Sequence, residues 1–206
     1  MAVKRRKLGN PLALAVLATL WQKPMHPYEI AQTLRRQGKD NSTKINYGSL
    51  YTVVQSLQKH DLVEVTDVER EGNRPERTVY GLTDAGRQEL TEWLSDLMAV
   101  PVREYPIFDT ALSVMGVLHP DDVVRLLQER LSTLEVQVAG GRGALDKLCE
   151  TLPRLFLVET EYQLHMLQAQ TDWVRGFLEE IRKGTLPGVE GWRRYHETGE
   201  LPAEFL

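Results

Sequence analysis

At 206 residues, with a net charge of −4, 42% hydrophobic and 26% charged residues, the chain has the bulk of an ordinary globular protein and room for one large domain or two small ones. No stretch approaches the length of uninterrupted apolar sequence that a transmembrane helix needs, and a single cysteine, Cys149, excludes a disulfide framework or a cysteine-rich zinc site. The N-terminal MAVKRRKLGN is basic, but the apolar run behind it is broken by Thr19 and lacks a small-residue cleavage site. A cytoplasmic setting is therefore expected, and a secretory leader is not.

Charge is unevenly spread. Residues 1–90 hold 14 basic and 10 acidic side chains, whereas residues 91–206 hold 11 and 19. A basic N-terminal part joined to an acidic remainder suggests two jobs, one of them facing phosphate; random scatter of surface charge is the plain alternative.

In chain order, Asn10-Pro11 reads as an N-cap followed by proline at the first helical position. Ala13, Leu14, Val16, Leu17 and Leu20 then form an apolar helical face ending near Trp21. QKPMHPY is a turn, from which Pro27 starts a second helix carrying Tyr28, Ile30, Ala31 and Leu34 and stopping at Gly38. A third helix is expected from Tyr47 to about His60. Directly behind it, DLVEVTDVE and RTVYGL alternate as two short strands around the loop REGNRPE, and Thr83 opens a fourth helix. Helix, helix, helix, strand, turn, strand is the order of a winged helix-turn-helix. The fold class expected is mainly α: a winged helix with a two-stranded wing over residues 1–86, and an all-helical domain over 87–206.

The second half is helical throughout. HPDDVVRLLQERLSTLEVQV opens on acids, as the helix dipole favours, and places Val124, Leu127, Leu131, Leu134 and Val138 at heptad-like spacing that continues past Gly140 and Gly143 to Leu145, Leu148 and Leu152. A last long helix, from about Pro153 to Lys183, carries Leu155, Tyr162, Met166, Ala169, Trp173 and Phe177 on one stripe, and Gly184, Pro187 and Gly188 end it. Such stripes pack helix on helix, either between two chains, where these residues form a dimer interface, or within one chain as a hairpin. Spacing alone does not separate the two.

On the third helix Leu50, Val53, Val54 and Leu57 share one face, and Gly48, Thr52, Gln55, Ser56 and Lys59 share the other. The second set is short, polar and free of acids, with a basic residue further along, which suits a DNA major groove; any solvated helix is also polar outward. The helix N-terminus around Gly48 and Ser49, with Lys44 ahead of it, suits a backbone phosphate. Arg70, Arg74 and Arg77 flank the wing tip, where arginine reaches a minor groove or phosphates, although Glu69, Glu71 and Glu76 beside them fit an ordinary hairpin. KRRK at residues 4–7 reads as a solubilising arm or one that tracks the DNA backbone.

PMHPYEI, YGSLYTVVQSLQKHDLVEV and RTVYGLTDAGRQEL, in this order across residues 8–90, resemble the PadR family of bacterial transcriptional regulators, in particular its larger subgroup with a long helical C-terminal domain. His26-Pro27-Tyr28-Glu29 stands where the family pattern is His-Gly-Tyr-Glu. Tyr47-Gly48-Ser49-Leu50-Tyr51-Thr52 stands where it is Pro-Gly-(Ser/Thr)-Leu-Tyr-Pro, so two prolines flanking the recognition helix are replaced. The resemblance implies a homodimer built by C-terminal helices, binding a near-palindromic operator and usually repressing, with release by a small aromatic or hydrophobic compound in some relatives. Tyr47 and Tyr51 join the DNA-facing set on this basis. Aromatic residues near the domain junction, Trp93, Tyr105 and Phe108, are the effector candidates, core packing being their commoner role.

No phosphate loop, nucleophile elbow or zinc-protease motif is present, so an enzyme is not expected, nor a cofactor or metal. Glu161 and His165, four apart, and Asp121-Asp122 behind His119 read as ordinary helix-surface pairs, and Cys149 as a buried thiol. The alternative function is a winged-helix protein-interaction module that binds no operator.

Overall fold

The computed structural model describes residues 9–39, 47–69 and 77–200, with backbone only at Tyr47, Glu69 and Arg77. The chain forms two compact units, residues 1–104 and 105–206, each with its own apolar core.

In the first unit α1 (Pro11–Leu20) starts where Asn10 Oδ1 accepts the Leu12 N–H at 2.9 Å. Leu12, Ala13, Val16, Leu17 and Leu20 are buried, and the buried Thr19 hydroxyl is satisfied by donating to the Ala15 carbonyl at 2.8 Å. The N-terminus of α2 (Pro27–Arg36) is closed by a reciprocal cap: His26 Nδ1 accepts the Tyr28 N–H and Glu29 Oε2 accepts the His26 N–H. Pro27 is comfortable there because its missing N–H is one the helix start leaves unpaired. Gly38, at φ +67°, ends α2 while the Lys39 N–H reaches back to the Leu34 carbonyl at 2.9 Å. α3 (Tyr47–Lys59) buries Leu50, Val53, Val54 and Leu57 in the same core.

Strands β1 (Val63–Glu69) and β2 (Arg77–Leu82) form the antiparallel wing, Val63 opposite Leu82 and Val65 opposite Tyr80, with the register shifting at Thr66. Met25 adds a short bridge, exchanging backbone hydrogen bonds with Tyr80 at 2.9 and 3.0 Å, which ties the α1–α2 turn to the wing. α4 (Asp84–Ala99) returns Leu90 and Trp93 to the core. α4 thus belongs to the first compact unit, which runs to residue 104.

The second unit contains α5 (Ile107–Ser113), a 3-10 turn at Met115–Val117, α6 (Pro120–Cys149), a second 3-10 turn at Arg154–Phe156, α7 (Val158–Lys183) and α8 (Val189–Thr198). α6 runs unbroken through Gly140, Gly141 and Gly143. It pairs antiparallel with α7 inside one chain, held at the surface by Arg175–Glu135 at 3.0 Å and Arg142–Gln168 at 2.9 Å. Val123, Leu127 and Leu134 share a core with Val174, Leu178 and Ile181. A Cβ at Gly141 would lie 3.1 Å from Leu164 Cδ1, so glycine there lets α7 come close.

Four features differ from the sequence-based expectation. The last long helix starts at Val158 because Pro153 opens a 3-10 turn first. The inner face of α7 is Thr171, Val174, Leu178 and Ile181, while Tyr162, Met166 and Trp173 point outward. Cys149 is exposed in the last turn of α6, where Leu148 is also uncovered. An additional helix, α8, follows Gly188. The Trp192 indole N–H anchors it by donating to the Leu118 carbonyl at 3.0 Å and the Gly116 carbonyl at 3.3 Å.

Gly86, in the first turn of α4, faces the Leu62 carbonyl, and any Cβ there would collide with it. Gly86→Ala should lower unfolding stability by about 1–3 kcal/mol, read from urea denaturation. An unchanged midpoint would show that α4 does not sit this close to the wing.

Candidate nucleic-acid interface

α3 is mounted on the first core by its apolar face, which leaves the other face to solvent. Gly48, Ser49, Thr52, Gln55 and Lys59 are exposed and Ser56 half-buried, and no acidic residue lies on the helix. The Thr52 hydroxyl donates to the Gly48 carbonyl at 3.1 Å, where the family pattern has proline. The exposed Tyr51 ring meets His26 edge-on at 6.3 Å, so the phenol stands beside the N-terminus of α2. Of the remaining DNA-facing candidates, Lys44 and Arg74 lie outside the described residues, as do Arg70 and the 4–7 arm, and the side chains of Tyr47 and Arg77 are not described.

α3 passes into β1 with almost no connection because its end is a tight cap. The Leu62 N–H donates to the Leu57 carbonyl and the Asp61 N–H to the Gln58 carbonyl, both at 3.0 Å, with Asp61 left-handed at φ +58°. His60 Nδ1–H also donates to the Ser56 carbonyl at 2.7 Å. The Thr83 hydroxyl then donates to the Asp61 carbonyl at 2.6 Å and accepts the Gly86 N–H at 2.9 Å, so one side chain joins the end of α3 to the start of α4. The outward face of α3 and the wing thus have a fixed relation.

Two basic residues on the same helix-turn-helix were not among the sequence candidates. Arg35 and Arg36, exposed in the last turn of α2, belong to the run RRQGK, whose charge was the available signal.

The residues proposed for dimerisation separate into two groups. Leu127 and Leu134 are buried inside the α6–α7 hairpin, and Val124, Leu131 and Phe177 are half-buried against the same core. Leu155, Tyr162, Met166 and Trp173 are exposed. The effector candidates do not form one group. Trp93 is a core residue of the first unit and Tyr105 is exposed in the second. Phe108 instead joins an aromatic series within the second unit: its edge meets Trp173 at 6.3 Å, and Trp173 stacks on Phe177 at 5.0 Å. The Arg130 guanidinium lies 3.6 Å from the Phe108 centroid, with its Nε buried and unpaired. Glu161, on the first turn of α7, is engaged from outside that helix. It takes a bidentate hydrogen bond from Arg154, which holds its carboxyl below the usual range.

A winged helix with an acid-free recognition face matches at sequence level as well: residues 16–92 match the transcriptional regulator PadR-like family. The chain is similar to that family over this segment, which stops short of its second unit. Its fold extends the likeness beyond the matched segment. Bacillus subtilis PadR in complex with operator DNA is 19% identical, with a TM-score of 0.66 over 82% of this chain and 98% of that one. The same regulator in complex with p-coumaric acid is 18% identical, with a TM-score of 0.67 over 83% and 98%. The Vibrio cholerae virulence activator AphA is 20% identical, with a TM-score of 0.62 over 84% and 98%. At these identities the likeness establishes the fold. No curated protein matches the sequence. Sequence over residues 16–92, and fold over most of the chain, are thus similar to those of PadR-like proteins.

The left-handed corner supplies a direct test of how α3 is held. Asp tolerates this conformation and a β-branched residue does not, so Asp61→Val should cost about 1–2 kcal/mol, measured by thermal unfolding. A neutral result would mean that the cap is not as described.

Proposed function

We propose that this PadR-like protein acts in the cytoplasm as a homodimeric repressor that binds a near-palindromic operator. The observation carrying this reading is the α3 face: Thr52, Gln55, Ser56 and Lys59 on a helix rigidly seated by Leu50, Val54 and Leu57. One such helix reads few base pairs, whereas two related by a dimer axis read successive major-groove turns. Gly48 and Ser49 at the helix start, Arg35 and Arg36 on α2, and Lys44, Arg74 and Arg77 in sequence supply positive partners for the backbone phosphates.

The dimer contact is assigned to the outward set on α7, Tyr162, Met166 and Trp173, together with Leu155. Apolar side chains concentrated on one exposed helix are what an unformed interface looks like. Val124, Leu127, Leu131, Leu134 and Phe177 support that face from inside the hairpin. A small aromatic compound is proposed to release the operator, as a structural neighbour has been solved with p-coumaric acid. Tyr105 and Phe108 remain candidate contacts on the second unit and Trp93 on the first. Activation is the alternative sign, since an activator from Vibrio cholerae shares the fold.

Fluorescence anisotropy with the protein's own promoter DNA and a random duplex, at two salt concentrations, tests operator binding. Promoter preference should weaken steeply with salt. Gln55→Ala should remove about 1–3 kcal/mol of that preference, and Lys59→Ala should weaken both duplexes alike and reduce the salt slope by about one. Equal or absent binding would sink the repressor reading and favour a protein-interaction module. In analytical ultracentrifugation Met166→Glu should shift the protein to monomer, since a carboxylate buried at an apolar interface finds no partner. A variant that stays dimeric would move the interface elsewhere.

A further inference from the structure

The second unit contains a cavity of about 430 Å³ between α7, α8 and the 3-10 turn at Met115–Val117. Its walls include Met115, Phe177, Leu186, Val189, Trp192 and Tyr195, and no charged side chain lines it. We propose that this cavity is a binding site for an uncharged aromatic molecule of one or two rings.

The walls are already built. Trp192 is pinned through its indole N–H to the Gly116 and Leu118 carbonyls, and His196 Nε2–H donates to the Gly116 carbonyl at 2.9 Å. Arg193, bonded to Asp121 at 2.9 Å, fixes the same helix to the start of α6. Gly188, at φ +87°, shapes the turn that closes one side. Phe177 is held by its stack on Trp173. A site that needs no ordering on binding keeps most of its contact energy as affinity.

The chemistry of the lining selects the ligand. Three aromatic rings offer faces and edges to another ring. The volume lies at the lower end of small-molecule sites, which suits a bicyclic compound. Among the described residues the Tyr195 hydroxyl has no hydrogen-bond partner, so it is available to one polar group on the ligand. The Gly116 carbonyl is already occupied by two donors. A carboxylate or ammonium entering this lining would lose its hydration with no opposite charge to meet, so the occupant is neutral. The site is distinct from Trp93, Tyr105 and Phe108, none of which lines the cavity.

Isothermal titration calorimetry on the full chain, without DNA, is the test, with 2-naphthol as probe and 2-naphthoate as its charged counterpart. One 2-naphthol should bind per chain, with 2-naphthoate at least about tenfold weaker. Leu186→Trp, which fills the cavity, should abolish binding, and Tyr195→Phe should weaken it several-fold. If circular dichroism shows Leu186→Trp to be misfolded, Met115→Trp fills the space from the opposite wall. Binding that survives the filling variant and Tyr195→Phe would overturn the assignment, as would preference for the carboxylate. Absence of 2-naphthol binding, with Leu186→Trp dissociating the dimer, would overturn it by giving the cavity to a second copy of the chain. Because no DNA is present, failure here leaves operator binding unaffected, and failure of operator binding leaves this result intact.

Discussion

The first unit depends on one corner. At Asp61 the chain leaves α3, takes a left-handed step and begins the wing, and three backbone groups there are held by neighbours far along the sequence or one helical turn back. Thr83 supplies the long-range part. Its hydroxyl hydrogen goes to the Asp61 carbonyl while its oxygen caps α4 through the Gly86 N–H. Each bond contributes only about 1 kcal/mol net. Their value is geometric, since α3, β1 and α4 meet at one point and cannot turn independently. A helix that must enter a groove in one orientation needs such a mount more than it needs extra stability.

In the second unit the constraint is a choice between two stripes on α7. Val174, Leu178 and Ile181 turn to α6, and Tyr162, Met166 and Trp173 turn away. The inward stripe is aliphatic and packs in one core with Leu127 and Leu134, and Gly141 removes the side chain that would hold the helices apart. The outward stripe is bulky and aromatic, which suits a broad contact with another surface. A helical hairpin and an inter-chain contact are therefore not rival uses of the same residues.

What the sequence discloses divides along local and non-local lines. Asn10, Pro11, Gly38 and Thr83 are legible because a cap is made by residues within a few positions of each other. The buried face of α3 is legible because Leu50, Val53, Val54 and Leu57 follow the helical period. The bulge at Thr66 and the Met25 bridge are properties of strand pairing and leave no local mark. On α7 the period is satisfied by both stripes, and only the partner helix decides between them. α8 was hidden by the glycines and proline ahead of it, although Val189, Trp192 and Tyr195 keep a helical spacing. The polar face of α3 was readable, whereas the aromatic series from Phe108 to Phe177 joins residues too distant in sequence for any pattern to connect.

That series bears on how occupancy of the cavity would be felt elsewhere. A preformed pocket gives affinity but no signal, because a ligand shifts an equilibrium only by the difference in its affinity for the two states. A tenfold difference corresponds to about 1.4 kcal/mol. Phe177 lines the cavity and stacks on Trp173, which stands on the outward face of α7. A ligand that prefers one setting of Phe177 therefore biases Trp173 through a single ring contact. Trp173 belongs to the proposed dimer face, so those two rings link the cavity to the contact on which paired recognition helices depend.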